Sequence, residues 1–113
     1  NGYDELTTTS ENRIVEIIRG KKPRTKLLDP RELGLDRHSE NDLKGGDASE
    51  NAFLMRKAFE GETGAIRDNI TLNSAAGLVV CERAKNIKEG LEMVNYNINN
   101  GVVINKLNSL IKG

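Results

Sequence analysis

Tryptophan does not occur, and two tyrosines and two phenylalanines are the only other aromatic residues in the 113. Any interior must therefore be aliphatic and modest in size. A single cysteine, Cys81, cannot close an internal disulfide, which argues against a stapled secreted scaffold and suits a reducing cytoplasm. Net charge is missing as well, because seventeen basic residues balance seventeen acidic ones. No whole-molecule field draws the chain toward nucleic acid or an anionic membrane surface. No apolar run approaches the roughly 18–20 residues of a membrane span. The opening residues carry neither the basic nor the apolar region of a signal peptide, so the expected location is cytoplasmic. With 36% hydrophobic residues the chain is nevertheless too apolar for intrinsic disorder, and its length corresponds to one domain or less.

What is present begins with two short β-like runs, "RIVEII" (13–18) and "TKLLD" (25–29). Gly20 and Pro23 lie between them, which predicts a hairpin with a longer loop. Arg19, Lys21, Lys22, Arg24 and Lys26 crowd its tip. A phosphate-binding patch is one reading, and a solvated loop whose lysines block aggregation is the favoured one. From Asp29 onward the chain reads as capped helices. "DPRELG" puts Asp29 at an N-cap, Pro30 at the first helical position and Gly34 at the stop, giving a single turn at most. Ser39 with Asp42 starts another, and Asp47 with Glu50 starts a stronger one that Gly61 ends.

That stronger helix has an apolar face of Ala52, Phe53, Met55, Ala58 and Phe59. Residues 64–85 are apolar around most of the circumference after Ile70, which predicts a buried helix. Ser74, Ala75, Ala76 and Gly77 within it would let a neighbouring helix approach closely. Ile87, Leu91, Val94 and Ile98 mark a further helix ending near Gly101, and Val103, Ile104, Leu107, Leu110 and Ile111 mark the last. Gly45 and Gly46, directly before a helix start, suggest either an anion site or a turn with unusual backbone angles. Asp47 already occupies the place an anion would take, which favours the turn.

Nucleophile and acid–base sets are absent. His38 has no carboxylate or serine arranged around it in sequence and reads as a solvent-facing loop residue. Cys81 reads as a buried, inert thiol within an apolar helix. Asn73 reads as satisfying a buried backbone group. No P-loop, dinucleotide fingerprint or zinc spacing occurs. The remaining candidate is the adjacent pair Asp4 and Glu5. Consecutive side chains on a strand point to opposite faces, but on a turn they converge, and their best use is then a hard divalent cation. Mg²⁺ takes one or two carboxylates and completes its octahedron with water and substrate phosphates. An Asp-Glu dipeptide is common in itself.

The order of segments "GYDELTTTS", "LDPRELGL", "DLKGGDASENA", "GAIRDNITLNSAAGLVV" and "NNGVVINKLNSL" resembles the C-terminal part of the anthranilate phosphoribosyltransferase family over essentially all 113 residues. The resemblance implies an α/β parent of the nucleoside phosphorylase and phosphoribosyltransferase type. Residues 1–113 would form the C-terminal portion of its α/β domain, α+β in themselves: a short β-hairpin followed by several packed helices. It further implies Mg²⁺ as cofactor, held by Asp4 and Glu5, with phosphoribosyl pyrophosphate and anthranilate as substrates. The family's Gly-rich pyrophosphate loop, its "KHGNR"-type segment and its dimer-forming helical domain do not occur in residues 1–113. The substrate-binding residues therefore stay unassigned, no residue here is catalytic, and the chain alone is expected to be inactive. A non-catalytic interaction module and a pyrimidine-nucleoside phosphorylase relative are the alternatives.

Overall fold

The computed structural model describes residues 5–17 and 19–112. Strands β1 (Asn12–Glu16) and β2 (Arg24–Leu28) pair antiparallel, with Asn12 opposite Leu28 and Glu16 opposite Arg24. The expected hairpin is therefore present; Ile18, the last residue of the predicted first run, lies outside the described residues. Lys26 sits diagonally across the ladder from Glu16 and contacts it at 2.6 Å, within cross-strand reach of a long side chain. That contact lowers the Glu16 carboxyl from its usual range, chiefly through the hydrogen bond. The basic tip is exposed from Arg19 to Lys26, as its solvated reading requires.

A single 3-10 turn, Pro30–Leu33, follows. The Asp29 carboxylate accepts from the Arg31 N–H and is flanked by the Arg31 and Arg37 guanidiniums at 2.8 and 3.1 Å. Hydrogen bonding from Arg31 lowers its carboxyl to about 2. A depressed carboxyl contributes above its unfolded value and loses its contribution as pH falls through the folded one, so this cap persists down to about pH 2. Gly34, at φ 82, ends the turn in the left-handed region. Helix α1 (Glu40–Leu43) carries a complete capping box between Ser39 and Asp42. Helix α2 (Ala48–Phe59) starts at Asp47, whose carboxylate accepts from the Glu50 N–H at 2.9 Å.

The apolar face expected on α2 is not buried. Only Ala58 is, while Phe53 and Met55 are 59% and 45% exposed. Helix α2 is tied to the last helix by Arg56 Nη1, which donates to Asn108 at 3.0 Å, and within α2 itself Lys57 lies 5.3 Å from the centre of the Phe53 ring.

Helix α3 (Ala65–Val80) and helix α4 (Ile87–Asn99) form the centre, joined by Leu72, Ala75, Leu91 and Ile98. Helix α3 is shorter than the expected 64–85 and is not buried all round, since Val80 is 82% exposed. It stops because Glu82 turns left-handed at φ 60, with Glu82 N–H donating to Val79 O and Arg83 N–H to Leu78 O. Those two bonds make a Schellman closure built on glutamate instead of glycine. Cys81 is consequently an exposed cap residue, not a buried thiol.

The small-residue stretch does admit a close neighbour, at Ala75. A Cβ built on Gly90 of α4 would lie 2.8 Å from the Ala75 carbonyl oxygen and 3.0 Å from its Cα. Those are backbone atoms that cannot swing aside. Gly90→Ala thus opposes two effects. Alanine favours an isolated helix by about 1 kcal/mol over glycine, whereas overpacking costs about 1–3 kcal/mol. The expected outcome is a net loss of stability in urea denaturation; a gain would mean that α3 and α4 are not held this close.

Arg67 enters the same interface almost fully buried. It donates from Nη1 to Gly61 O at 2.8 Å and from Nη2 to the Oδ1 atoms of Asn95 and Asn99 at 2.9 and 3.0 Å. Gly101, at φ 77, ends α4 and leads into α5 (Val102–Lys112), which buries no residue and exposes Leu110 and Ile111. No helix among the described residues is long and apolar enough to cross a membrane.

Candidate functional site

Of the proposed carboxylate pair, Asp4 lies outside the described residues, and Glu5 is exposed at the start of a threonine-rich turn. Among the described residues no strand lies beside this turn, yet several of its peptide groups are paired. Leu6 N–H donates to Asn73 Oδ1 at 2.8 Å, and Asn73 Nδ2 returns a bond to Leu6 O at 2.9 Å. Asn12 repeats the arrangement one residue on: its Oδ1 accepts from Thr7 N–H at 2.8 Å and its Nδ2 donates to Thr7 O at 2.9 Å. Thr8 O then accepts from His38 N–H at 3.1 Å. Thr7 Oγ1 lies 2.8 Å from Thr9 Oγ1 and accepts from Thr9 N–H, closing the turn on itself. Thr7, Thr8 and Asn12 are all buried, and Thr8 Oγ1 has no hydrogen-bond partner among the described residues.

Two elements supply the amides for separate reasons. Asn73 sits inside α3, where its own backbone is occupied by the helix, so only its side chain is free to bind outward. Asn12 opens β1, at the point where the turn enters the hairpin. The expectation that Asn73 satisfies a buried backbone group holds; the matching role of Asn12 was not legible, since its partner is five residues away in an irregular loop.

Glu5 faces an open cleft of about 490 Å³, lined also by Thr7, Glu40, Asn41, Lys44 and Asn69. Among the described residues, no ion pair or hydrogen bond engages its carboxylate. Nor do three or more His, Cys, Asp or Glu side chains among them converge on one point. The donors on offer are hard oxygens at an open position. They fit an ion that keeps water and phosphate oxygens in most of its coordination sphere, as Mg²⁺ does.

His38 is not the isolated solvent residue that its sequence neighbours suggest. Its Nε2 lies 2.8 Å from Asp68 Oδ2, both side chains being largely covered. The partner is thirty residues distant and on α3, out of reach of any local pattern. Near it, the Asp42 carboxyl is lowered, first by its bond from the Ser39 N–H and to a lesser degree by His38.

The Gly45–Gly46 pair is not an anion site. Gly46 N–H already donates to Asn51 Oδ1 at 3.1 Å, and Asp47 takes the Glu50 N–H. Neither glycine has a positive φ, so unusual backbone angles do not explain them. A Cβ at either would instead run into the Asn51 or Glu50 side chain folded over the loop.

The family model described as "Glycosyl transferase family, a/b domain" matches residues 1–104. Anthranilate phosphoribosyltransferases from Mesorhizobium japonicum and Geotalea uraniireducens are 38% and 42% identical to this chain, each over 112 residues. These alignments take in 99% of the chain and 33% and 32% of the relatives, so the chain spans about a third of their length. The crystal structure of anthranilate phosphoribosyltransferase from Thermus thermophilus superposes with a TM-score of 0.81 at 31% identity, covering 99% of this chain and 34% of that one. The enzyme from Saccharomyces cerevisiae, in complex with 4-fluoroanthranilate, shares the fold at a TM-score of 0.83 and 24% identity, over 98% of this chain and 32% of that one. A match in sequence from residue 1 to 104, joined to a match in backbone over nearly the whole chain, places this chain in the glycosyl transferase family, a/b domain.

Proposed function

We propose that the protein carrying this chain is an anthranilate phosphoribosyltransferase. It transfers the 5-phosphoribosyl group from phosphoribosyl pyrophosphate to the amino group of anthranilate and releases pyrophosphate. The observation that carries this reading is the name shared by relatives aligned over 99% of the chain. In the reaction the bond from ribose C1 to the pyrophosphate oxygen breaks, a bond from C1 to the anthranilate nitrogen forms, and that nitrogen gives up one proton. Positive charge grows on the ribose and negative charge on the leaving group, so positioning and electrostatics supply most of the acceleration.

Asp4 and Glu5 are the residues that would hold Mg²⁺. Glu5 supports this reading, being an exposed carboxylate, unpaired among the described residues, on an open cleft. Bound there, Mg²⁺ supplies charge neutralisation for the leaving pyrophosphate. Glu5 contributes a fixed negative charge, presented by a turn whose peptides are already paired. Lys44, on the same cleft, offers a cation to a phosphate oxygen. On this reading the protein is cytoplasmic and engages neither nucleic acid nor membrane. It is a homodimer through a helical domain that lies outside residues 1–113, and those residues alone do not turn over.

The test uses the full-length protein, following loss of anthranilate with phosphoribosyl pyrophosphate across a Mg²⁺ titration. Glu5→Gln is expected to lower turnover about tenfold or more and to raise the Mg²⁺ needed for half-maximal rate. Kinetics identical to the parent at every Mg²⁺ concentration would remove the metal assignment. Phosphorolysis of thymidine without anthranilate turnover would move the protein to the pyrimidine-nucleoside phosphorylases. Failure to bind phosphoribosyl pyrophosphate, with specific capture of a protein, would make it an interaction module.

A further inference from the structure

We infer that Asn73 is a positioning residue for the acidic turn: its carboxamide, reaching out from α3, fixes the direction in which Glu5 is presented to a divalent cation. The inference rests on the metal reading above and adds to it a residue from a distant helix that never touches the ion.

The Leu6 N–H that Asn73 Oδ1 accepts belongs to the peptide joining Glu5 to Leu6. The Leu6 carbonyl that Asn73 Nδ2 meets belongs to the next peptide, and the N–H of that second peptide is the Thr7 N–H bound by Asn12 Oδ1. The first peptide is thus held at its N–H and the second at both edges. Each peptide is rigid in itself, so fixing the plane after Glu5 leaves its Cα with one adjustable side only. Asn73 is in turn locked, because its Nδ2 also donates to Asn69 O at 3.0 Å, back along the same helix. Asn69 lines the cleft that Glu5 faces. Both Nδ2 hydrogens are thus committed, one to the turn and one to the helix, and the side chain cannot rotate without breaking both. An amide used only to satisfy a buried group needs one partner. This one holds both polar groups of a single residue, beside the carboxylate that the reaction requires in a set direction.

The experiment titrates Mn²⁺ alone into the full-length protein and counts free ion by electron paramagnetic resonance, with a thermal melt on every variant. Asn73→Asp keeps size and the acceptor for Leu6 N–H but replaces Nδ2 with an oxygen that faces two carbonyls. Mn²⁺ affinity is expected to fall about tenfold or more. Asn95→Ala is the matched control, since it removes a partner of Arg67 on α4 and makes no bond to the turn. It is expected to lower the melting temperature with Mn²⁺ affinity unchanged. If Asn73→Asp does not fold, Asn73→Ser takes its place, keeping a hydroxyl able to meet one Leu6 group, with an intermediate loss expected. Weak Mn²⁺ binding in Glu5→Gln together with parental affinity in the folded Asn73 variant overturns the role of Asn73 alone. Parental affinity in Glu5→Gln overturns the metal reading and the inference with it. Equal weakening by Asn95→Ala also overturns the inference, because loss of stability would then account for everything.

Discussion

Leu72→Ala is expected to lower stability by about 2–5 kcal/mol, read as a shift of the urea midpoint at unchanged slope. Leu72 is fully buried, and it stands beside Ala75 on the face of α3 that meets Leu91 and Ile98 of α4. In a chain without tryptophan and with four other aromatic residues, few large rings exist to move into the space. The cavity therefore persists, and the cost falls toward the upper part of that range. Because Leu72 follows Thr71 and precedes Asn73, loosening it also slackens the helix turn that reaches the acidic loop. A loss below about 1 kcal/mol would place the centre of the fold elsewhere.

Arg67→Ala is the second large effect. Arg67 is 7% exposed and, among the described residues, no carboxylate is among its hydrogen-bond partners; three neutral oxygens receive its guanidinium, from Gly61, Asn95 and Asn99. Removing it leaves these acceptors facing a hole. Each buried unsatisfied group costs about 1–3 kcal/mol, and partial rotation of the two asparagines brings the expected total to about 2–4 kcal/mol. Arg67→Lys is expected to recover little. An ammonium is a single point donor and cannot reach a carbonyl before α3 and two amides on α4 in the fixed fork that guanidinium provides. Lysine at parental stability would mean that charge, not shape, matters at this position.

How far each element was legible follows from how local its cause is. The hairpin, the caps at Asp29, Ser39 and Asp47, and the stops at Gly34, Gly61 and Gly101 were readable because each signal and its partner lie within a few residues. The end of α3 was not. Glu82 adopts a left-handed conformation that ordinarily asks for glycine or asparagine, so nothing in the sequence marks the stop. The exposed face of α2 and the pairing of His38 with Asp68 depend on which neighbour comes near, and composition does not encode that. The same limit hid the burial of Arg67, whose partners lie before α3 and on α4. For the candidate site, Asp4 and Glu5 were chosen by residue type alone; Asp4 lies outside the described residues, and the structure places Glu5 on an open cleft. The scaffold of the turn was visible only at Asn73.

The amides of Asn12 and Asn73 stand in for a neighbouring strand, and this has a consequence for the order of events during synthesis. A strand pairs with whatever segment lies beside it, often before the chain is complete. Leu6 instead waits for a partner 67 positions later, on a helix that must first wind for its carboxamide to point outward. Until residue 73 has left the ribosome and α3 has formed, the segment around Glu5 has hairpin contacts through Asn12 but, among the described residues, no partner for the N–H of the peptide that follows the carboxylate. The acidic turn thus acquires its final shape only after the central helix does, and a nascent chain halted before that point carries Glu5 without the geometry of its turn.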